Sequence, residues 1–356
     1  MLTDRTTLTQ FLIEERRRHP EASGELNALI LDVALACKAI SRAVARGALD
    51  GVLSGRAAPN AGEETPKKLE AVANELFLRS NEWGGHLAGM ASEAMDAPYA
   101  IPGRYPRGHY LLVFDSLDGS SNVDVDVAVG SIFSILRAPR AHDDAQAEDF
   151  LQPAQRQVCA GYAIYGPSTM LVLTVGTGVH GFTLDPVLGE FFLTHPAVRI
   201  PPTTCEFAIN ASNSRFWEPA VKRYVEECLA GKTGPRGKDF NMRWIASLVA
   251  ETHRILMRGG VFLDPRDTRE PGTPGRVQQL FEAHPIAFIV EQASGRASAG
   301  RAGALDAPPE SLHQRIGFIF GSRDEVERIE RYHRDHNLRE YDAPLFGARG
   351  LFRAAV

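Results

Sequence analysis

The sequence predicts an α/β protein of the α+β kind, with a mostly antiparallel first sheet and a second set of α/β layers. In the first half, apolar and β-branched runs recur between turns and indicate a meander, at 131–137, 158–165, 170–175, 179–184 and 190–194. In the second half, strand-like and helical stretches alternate instead. Pro201 and Pro202 interrupt the pattern between the two halves. We therefore expect one domain at 1–200, another at 201–340 and a tail at 341–356.

Composition and charge narrow the class of protein. The chain has 356 residues, of which 44% are hydrophobic, so it is long enough to bury a substantial core. A formal net charge of -5 excludes a general attraction to nucleic acid or acidic lipid, so an anionic substrate needs a local basic pocket. No apolar run approaches the ~20 residues of a membrane span, and no signal-peptide pattern is recognised. The four cysteines form no CxxC pair, which argues against zinc. We expect a cytoplasmic protein without membrane or nucleic-acid partners.

Three helices are predicted before the first sheet. Thr7 opens the first of them as part of a capping box. Ser23 can cap the second, whose apolar residues recur at helical spacing until Gly47 ends it. The third is expected at 69–78, after a loop at 51–66 that is rich in Gly, Ala, Pro and Glu. The apolar face of the second helix indicates that it packs against the core.

The elements of the second half follow from the same patterns. Strands are predicted at 206–211, 260–263 and 317–320. Helices are predicted at 218–229, 247–257, 278–283 and 324–332, and we expect the third of these to end before Pro285.

The chemistry is concentrated in the stretch FDSLDGSSN at 114–122. Asp115 and Asp118 follow a buried strand predicted at 110–114, and ligands usually bind at strand ends in α/β sheets. Carboxylate oxygens suit Mg²⁺. Gly119 and the two serines after it offer amides and hydroxyls to a phosphoryl group. A plain polar turn after a strand has the same composition, and this stretch taken alone favours that interpretation.

The longer stretch FDSLDGSSNVDVDVAVGSIFSILR at 114–137 resembles the signature of class I fructose-1,6-bisphosphatases, with Ser116 in place of a proline. The similarity runs from about Leu8 to about His333, and the motif around Trp244 resembles the proteobacterial type. The resemblance implies a layered sugar-phosphatase fold and a homotetramer. The implied reaction is hydrolysis of the 1-phosphate of fructose 1,6-bisphosphate to fructose 6-phosphate and phosphate, in gluconeogenesis or the Calvin cycle.

The same resemblance implies a set of metal ligands and catalytic groups. Carboxylates fit this chemistry because phosphate esters hydrolyse very slowly unless the phosphoryl charge is neutralised. Judged without the resemblance, Glu282 would be an ordinary surface residue of a helix. The implied cofactor is Mg²⁺, with Mn²⁺ as the alternative. The implied metal ligands are Glu93, Asp115, Asp118, Glu282 and the carbonyl oxygen of Leu117, and the implied catalytic residues are Glu70, Glu93 and Asp118.

Substrate contacts are implied in two places. One phosphoryl group is expected on Asp118 and the three residues after it, Gly119, Ser120 and Ser121. The sugar and second phosphate are expected on Asn210, Arg243 and Arg276, with the arginine at 243 reaching across from a neighbouring subunit in the family. From the residues alone, a capping role for Asn210 and a solvated surface role for both arginines are the open alternatives.

A regulatory nucleotide site is also implied by the resemblance. The turn at Ser23, Gly24 and Glu25 matches part of the family's AMP site, and the free amides of a helix N-terminus suit a phosphate. Tyr110 and Arg137 match further residues of that site. From the pattern alone, a helix cap is the preferred explanation of Ser23 and its neighbours.

The chain departs from the family pattern near the implied site. Ser116 replaces proline, Ala94 a second glutamate, Gln278 an arginine and Asp264 a tyrosine near the second phosphate, while Glu63 and Glu70 match acidic loop residues, the second normally aspartate. We expect Asp264 to pair with Arg266 or Arg276, unless the pocket accepts a different group.

These departures leave two alternative functions open. One is hydrolysis of sedoheptulose 1,7-bisphosphate, alone or together with the fructose compound. The other is a catalytically weakened paralogue that binds sugar phosphate or acts as a regulatory subunit.

Overall fold

The computed structural model describes residues 5–18, 23–50, 64–269, 272, 274–301 and 306–335. The loop predicted at 51–66 falls largely outside these residues, and Glu63 and the tail expected at 341–356 fall outside them altogether.

Three helices precede the first long strand, and they span Leu8–Arg17 (α1), Glu25–Arg46 (α2) and Glu64–Asn81 (α3). Thr7 caps α1 by accepting a hydrogen bond from the Gln10 N–H. The predicted capping box is only half formed, since the Gln10 side chain donates to Glu14 instead. The cap residue of α2 is Gly24 and not Ser23 as expected, and glycine adopts its φ of 90° without steric cost. The Ser23 hydroxyl still accepts a hydrogen bond of 3.4 Å from the Glu25 N–H at the start of the helix. The helix expected from 69 begins at Glu64, because Pro66 is tolerated in a first turn whose N–H groups need no helical partner.

The first sheet confirms the predicted meander and has eight strands. They span Leu87–Ser92 (β1), Tyr99–Ala100 (β2), Tyr110–Asp118 (β3), Val129–Arg137 (β4), Gln157–Tyr165 (β5), Thr169–Thr174 (β6), Val179–Asp185 (β7) and Glu190–Val198 (β8). A short helix at Ala147–Phe150 (α4) lies between β4 and β5. The spatial order is β2-β1-β3-β4-β5-β6-β7-β8, and only the β1–β3 pair is parallel.

The second half contains a smaller mixed sheet and four more helices. The strands are Glu206–Ile209 (β9), Asn241–Met242 (β10), Val261–Asp264 (β11), Val277–Gln278 (β12), Arg296–Ser298 (β13), Arg315–Ile316 (β14) and Phe318–Gly321 (β15). The helices are Pro219–Leu229 (α5), Leu248–Arg258 (α6), His284–Gln292 (α7) and Arg323–Arg334 (α8). Five strands form one sheet in the order β10-β9-β11-β15-β13, and β12 pairs with β14.

The buried side chains show how these elements stack. Residues of α1, α2 and α3 form one core with one face of the first sheet. The opposite face shares a second core with α6, α7 and the smaller sheet, which includes Tyr162, Ile255, Ile286 and Phe320. A third core joins the smaller sheet to α5 and α8. The chain is therefore layered as helices, sheet, helices, sheet and helices, which confirms the predicted fold class.

One helix prediction in the second half was wrong. A π-helical turn at Gln279–Ala283 leads directly into α7, so the helix does not stop before Pro285. Pro285 lies in the first turn of α7, where proline is tolerated. No helix in the described part of the chain is long and apolar enough to cross a membrane.

Candidate active site

The two aspartates of the central motif lie on either side of a bulge in β3. Residues three positions apart in a regular strand point to opposite faces of the sheet. The pairing of β3 with β4 skips between Asp115 and Asp118, so the extra residue turns both carboxylates towards the same place. The strand expected to end at Phe114 therefore continues through Asp118, because the bulge interrupts the ladder without ending it.

A third carboxylate reaches this place from the other half of the chain. Glu282 lies in the π-helical turn before α7, and such turns are frequent at functional sites. Ligand oxygens of Asp115, Asp118 and Glu282 lie within 4.8 Å of one another. We call these three residues the acidic cluster. Two buried carboxylates and a half-buried one at this separation suit a hard divalent cation, which takes oxygen ligands.

Glu93 and Gln278 lie beside the acidic cluster. Glu93 follows β1, and its Oε1 accepts a hydrogen bond of 3.2 Å from the Gln278 side-chain amide. The backbone N–H of Gln278 donates to the carboxylate of Glu282. Gln278 thus joins two acidic residues from different layers without adding a positive charge.

Burial and mutual repulsion disfavour the charged forms of the cluster. Burial raises the pKa of Glu282 to about 8, and the charges of Asp118 and Glu93 add to this effect. Burial also raises the pKa of Asp115 well above its usual range, with a further contribution from Asp118. A bound divalent cation would remove the repulsion that these pKa shifts report, so the donor set fits such an ion.

Asp118 is held at the N-terminus of α6. Its Oδ2 accepts hydrogen bonds from the Val249 N–H at 2.8 Å and the Ser247 hydroxyl at 3.1 Å. These bonds oppose the effect of burial, which nevertheless raises the pKa of Asp118 to about 6. The helix N-terminus favours a negative charge at this position. The loop between β3 and β4 is thereby fixed against α6.

The expected phosphate cradle begins immediately after Asp118. Gly119 has a φ of 74°, and a Cβ there would lie 3.0 Å from the Ser247 side chain, so both conformation and space require glycine. Ser120 begins a 3₁₀ turn that ends at Val125, and Ser121 is exposed. The half-buried Gly119 and Ser120 lie directly beside the acidic cluster in the chain.

A side pocket of about 250 Å³ adjoins Glu93 and Glu282. Arg276 lies in this side pocket, where its Nη2 is 2.8 Å from Asp264 Oδ1 and its Nη1 is 3.7 Å from Asp267 Oδ2. Asp264 therefore pairs with Arg276, the second of the two partners that the sequence left open. The other lining residues are Trp244, Ala246, Ser247, Leu248, Phe262, Val277, Gln278 and Arg315.

Other predicted residues lie outside the cluster and the side pocket. Glu70 is half-buried on α3, a helix that packs against the turn at 120–125. Arg243 is 53% exposed and lies 3.4 Å from Glu206. Asn210 caps a 3₁₀ turn, with its side-chain oxygen accepting hydrogen bonds from Ser212. The structure thus shows the capping contact that was the alternative for Asn210.

The five predicted nucleotide-site residues meet at a second pocket of about 640 Å³ at the N-terminus of α2. We call it the α2 pocket, and its lining includes Ser23, Gly24, Glu25, Tyr110 and Arg137. His109 also lines it, with Nδ1 3.1 Å from Glu25 Oε2. Tyr110 and Arg137 of the first sheet therefore line the same pocket as the turn before α2, although they are far from that turn in the sequence.

Sequence reasoning missed several contacts of the site. Ser247 and Val249 were predicted only as parts of a helix, yet they bind Asp118. Arg315 was not singled out, although it lines the side pocket and its charge lowers the pKa of Glu282. Serine at the start of a helix is a recognisable cap, so the sequence could indicate that role for Ser247. No local pattern, however, indicates that Ser247 also binds the distant Asp118.

Comparison with known proteins gives matches along nearly the whole chain. Residues 6–196 match the family model described as "Fructose-1-6-bisphosphatase, N-terminal domain", and residues 200–334 match "Fructose-1-6-bisphosphatase, C-terminal domain". The chain is 66% identical over 351 residues to "Fructose-1,6-bisphosphatase class 1 3" of Methylibium petroleiphilum, covering 99% of this chain and 98% of the relative. It is also 66% identical over 350 residues to "Fructose-1,6-bisphosphatase class 1" of Hydrogenophilus thermoluteolus, covering 98% and 97%.

Solved structures show the same similarity. The holo form of Leishmania major fructose-1,6-bisphosphatase superimposes with a TM-score of 0.83 at 36% identity, covering 93% of this chain and 99% of that one. The apo form gives a TM-score of 0.81 at 34% identity, with 93% and 100% covered.

Proposed function

Because the chain belongs to the class I fructose-1,6-bisphosphatase family, we propose that it hydrolyses the 1-phosphate of fructose 1,6-bisphosphate to fructose 6-phosphate and phosphate. It is a phosphoric monoester hydrolase on this assignment, with a place in gluconeogenesis or the Calvin cycle. The observation that carries the proposal is the acidic cluster, where three carboxylates from both halves of the chain meet beside Gly119 and Ser120. The comparisons give no support to the sedoheptulose bisphosphatase or weakened-paralogue alternatives.

We propose Mg²⁺, or alternatively Mn²⁺, as the ion of the acidic cluster. Asp115, Asp118 and Glu282 would hold it, with Glu93 and the carbonyl oxygen of Leu117 as further ligands. A divalent cation there supplies charge neutralisation for the phosphoryl oxygens and lowers the pKa of an attacking water.

The protein's own groups supply position and proton transfer. The amides and hydroxyls of Gly119, Ser120 and Ser121 hold the phosphoryl group in line with the attacking water. Glu93, half-buried at the edge of the cluster, accepts the proton of that water, and Glu70 on α3 is a second candidate for this role. The bond between phosphorus and the oxygen on C1 breaks, and that oxygen, which stays on the sugar, takes up a proton.

The side pocket supports a site for the sugar and its second phosphate. Arg276 lies there with 44% of its side chain exposed, held by Asp264 and Asp267. Pairing with two carboxylates fixes this guanidinium group but also reduces the positive field that a phosphate would experience. Asn210 retains an amide NH₂ group beyond the oxygen used in its cap, and we keep it as a substrate contact.

We also propose a homo-oligomer, a tetramer by family resemblance. Arg243 is exposed and lies outside the lining of the side pocket, which fits contact with the substrate of a neighbouring subunit.

The α2 pocket is the proposed AMP site, because a helix N-terminus, Tyr110 and Arg137 face one cavity.

The proposed compartment is the cytoplasm, in agreement with four free cysteines among the described residues.

Phosphate release decides between these functions. The protein is incubated with fructose 1,6-bisphosphate or sedoheptulose 1,7-bisphosphate at matched concentrations, with Mg²⁺, Mn²⁺ or a chelator. We expect cation-dependent release from the fructose compound, with fructose 6-phosphate as the product. Faster phosphate release from sedoheptulose 1,7-bisphosphate would identify that compound, and not fructose 1,6-bisphosphate, as the preferred substrate.

The variant Ala94→Glu tests the weakened-paralogue alternative. Ala94 is exposed and stands where the family has its second glutamate. Under our proposal the natural chain is already active and this substitution changes its rate little. A natural chain without turnover that gains activity through Ala94→Glu would instead establish the paralogue.

A further inference from the structure

The bulge that aims the two aspartates leaves backbone groups without partners in the ladder. Pairing between β3 and β4 skips from Asp115 to Asp118, so Ser116 and Leu117 lie outside it while remaining buried. A buried carbonyl group without a ladder partner needs another donor. Ser131 on β4 supplies one, because its hydroxyl donates a hydrogen bond of 2.7 Å to the Ser116 carbonyl oxygen.

This hydroxyl is the last member of a buried hydrogen-bond chain. Ser131 has given its only proton to Ser116, so at 2.7 Å it accepts from the Tyr165 hydroxyl. Burial raises the pKa of Tyr165 well above its usual range, so this hydroxyl keeps its proton. The two hydrogen bonds therefore run in one direction, from the Tyr165 hydroxyl through Ser131 to the Ser116 carbonyl oxygen.

We propose that Ser131 and Tyr165 are positioning residues that lock the β3 bulge and so fix Asp115 and Asp118 for cation binding. The inference rests on the proposed function, since it takes the acidic cluster as the cation site. Without the Ser131 hydroxyl, the Ser116 carbonyl is buried and unpaired, and a register that pairs it would turn one aspartate to the opposite face. Neither residue needs to touch the ion or the substrate for this role.

Mn²⁺ binding measures the effect without relying on turnover. Free Mn²⁺ is followed by electron paramagnetic resonance during titration of wild type, Ser131→Ala, Tyr165→Phe and Ser131→Thr. Contacts that orient metal ligands typically change affinity 10–100-fold, and we expect roughly tenfold weaker binding for Ser131→Ala and a smaller loss for Tyr165→Phe. Ser131→Thr retains the hydroxyl and is expected to restore binding. In parallel, the Mg²⁺ concentration for half-maximal phosphate release should rise while kcat at saturating Mg²⁺ is largely retained.

Ser134→Ala is the matched control. Ser134 is buried on the same strand but lies opposite Val113, away from the bulge, so Mn²⁺ affinity should not change. Wild-type affinity in both Ser131→Ala and Tyr165→Phe overturns the inference, as does an equal loss in Ser134→Ala. If Ser131→Ala does not fold, Tyr165→Phe decides, because it removes a single oxygen atom. A wild type that releases phosphate while these variants bind normally leaves the proposed function intact; a wild type that binds no divalent cation overturns both.

Discussion

The acidic cluster and the α2 pocket are both polar, but their charges are arranged in opposite ways. In the cluster, like charges are brought together in a buried place, and burial with mutual repulsion raises the pKa of Glu282 to about 8. In the α2 pocket, Glu25 is paired with His109 and Arg137 lies over the Tyr110 ring. Unbalanced charge costs folding free energy and persists where a ligand compensates it. The difference supports the cation proposed for the first place, whereas the anion proposed for the second rests on the helix N-terminus and Arg137.

The strongest test of the cluster removes one of its charges. We expect Asp118→Asn to lower kcat/KM by about 10³-fold or more, because charge neutralisation by a bound cation is worth several kcal/mol. Steady-state phosphate release with excess Mg²⁺ measures it. Asp124→Asn alters an exposed aspartate in the turn after the cradle and should leave the rate near wild type. An equal loss of kcat/KM in both variants would contradict a specific role of the acidic cluster in catalysis.

The side pocket allows a test intermediate in size. We expect Arg276→Gln to raise KM by about 10- to 100-fold with kcat much less affected, since a hydrogen bond to a charged group contributes about 1.5–3 kcal/mol. Arg243→Gln should raise KM only in the oligomer if that residue serves a neighbouring subunit. An Arg276→Gln enzyme with unchanged KM would place the second phosphate elsewhere.

Stability against pH distinguishes the cluster from an ordinary set of surface carboxylates. A carboxyl whose pKa is raised on folding binds its proton more tightly in the folded state, so stability falls as pH rises between the unfolded and folded pKa values. For Glu282 this window runs from 4.5 to about 8. We expect the melting temperature in chelator to fall across this window and added Mg²⁺ to raise it by several degrees, most strongly near pH 8. A Mg²⁺ effect that is constant from pH 5 to pH 8 contradicts this linkage.

The smallest expected effect concerns the α2 pocket. Burial raises the pKa of Tyr110, so its hydroxyl remains a donor at neutral pH. We expect Tyr110→Phe to weaken AMP binding by about two- to tenfold, because one neutral hydrogen bond contributes about 0.5–1.5 kcal/mol. Calorimetric titration with AMP measures it. If the wild-type protein does not bind AMP, the proposal that the α2 pocket binds this anion is wrong.

The two regions also differ in how much of each was readable from the sequence. The meander and the cap at Thr7 are local patterns, and the structure has them where they were predicted. The extension of β3 through Asp118 was missed, because a bulge depends on the partner strand and not on the residues that form it. The capping of α2 by Gly24 was missed for a similar reason: both Ser23 and Gly24 are acceptable caps, and the backbone conformation decides between them.

The sequence by itself determined the fold class, the family resemblance and the residue types of the site, because periodicity, turn residues and short motifs are carried by neighbouring positions. Only the tertiary structure decided which distant groups meet. It brought Glu282 to Asp118, paired Asp264 with Arg276 and joined Tyr165 through Ser131 to the β3 bulge. The physical reason is that burial and charge pairing act between segments that only folding brings together.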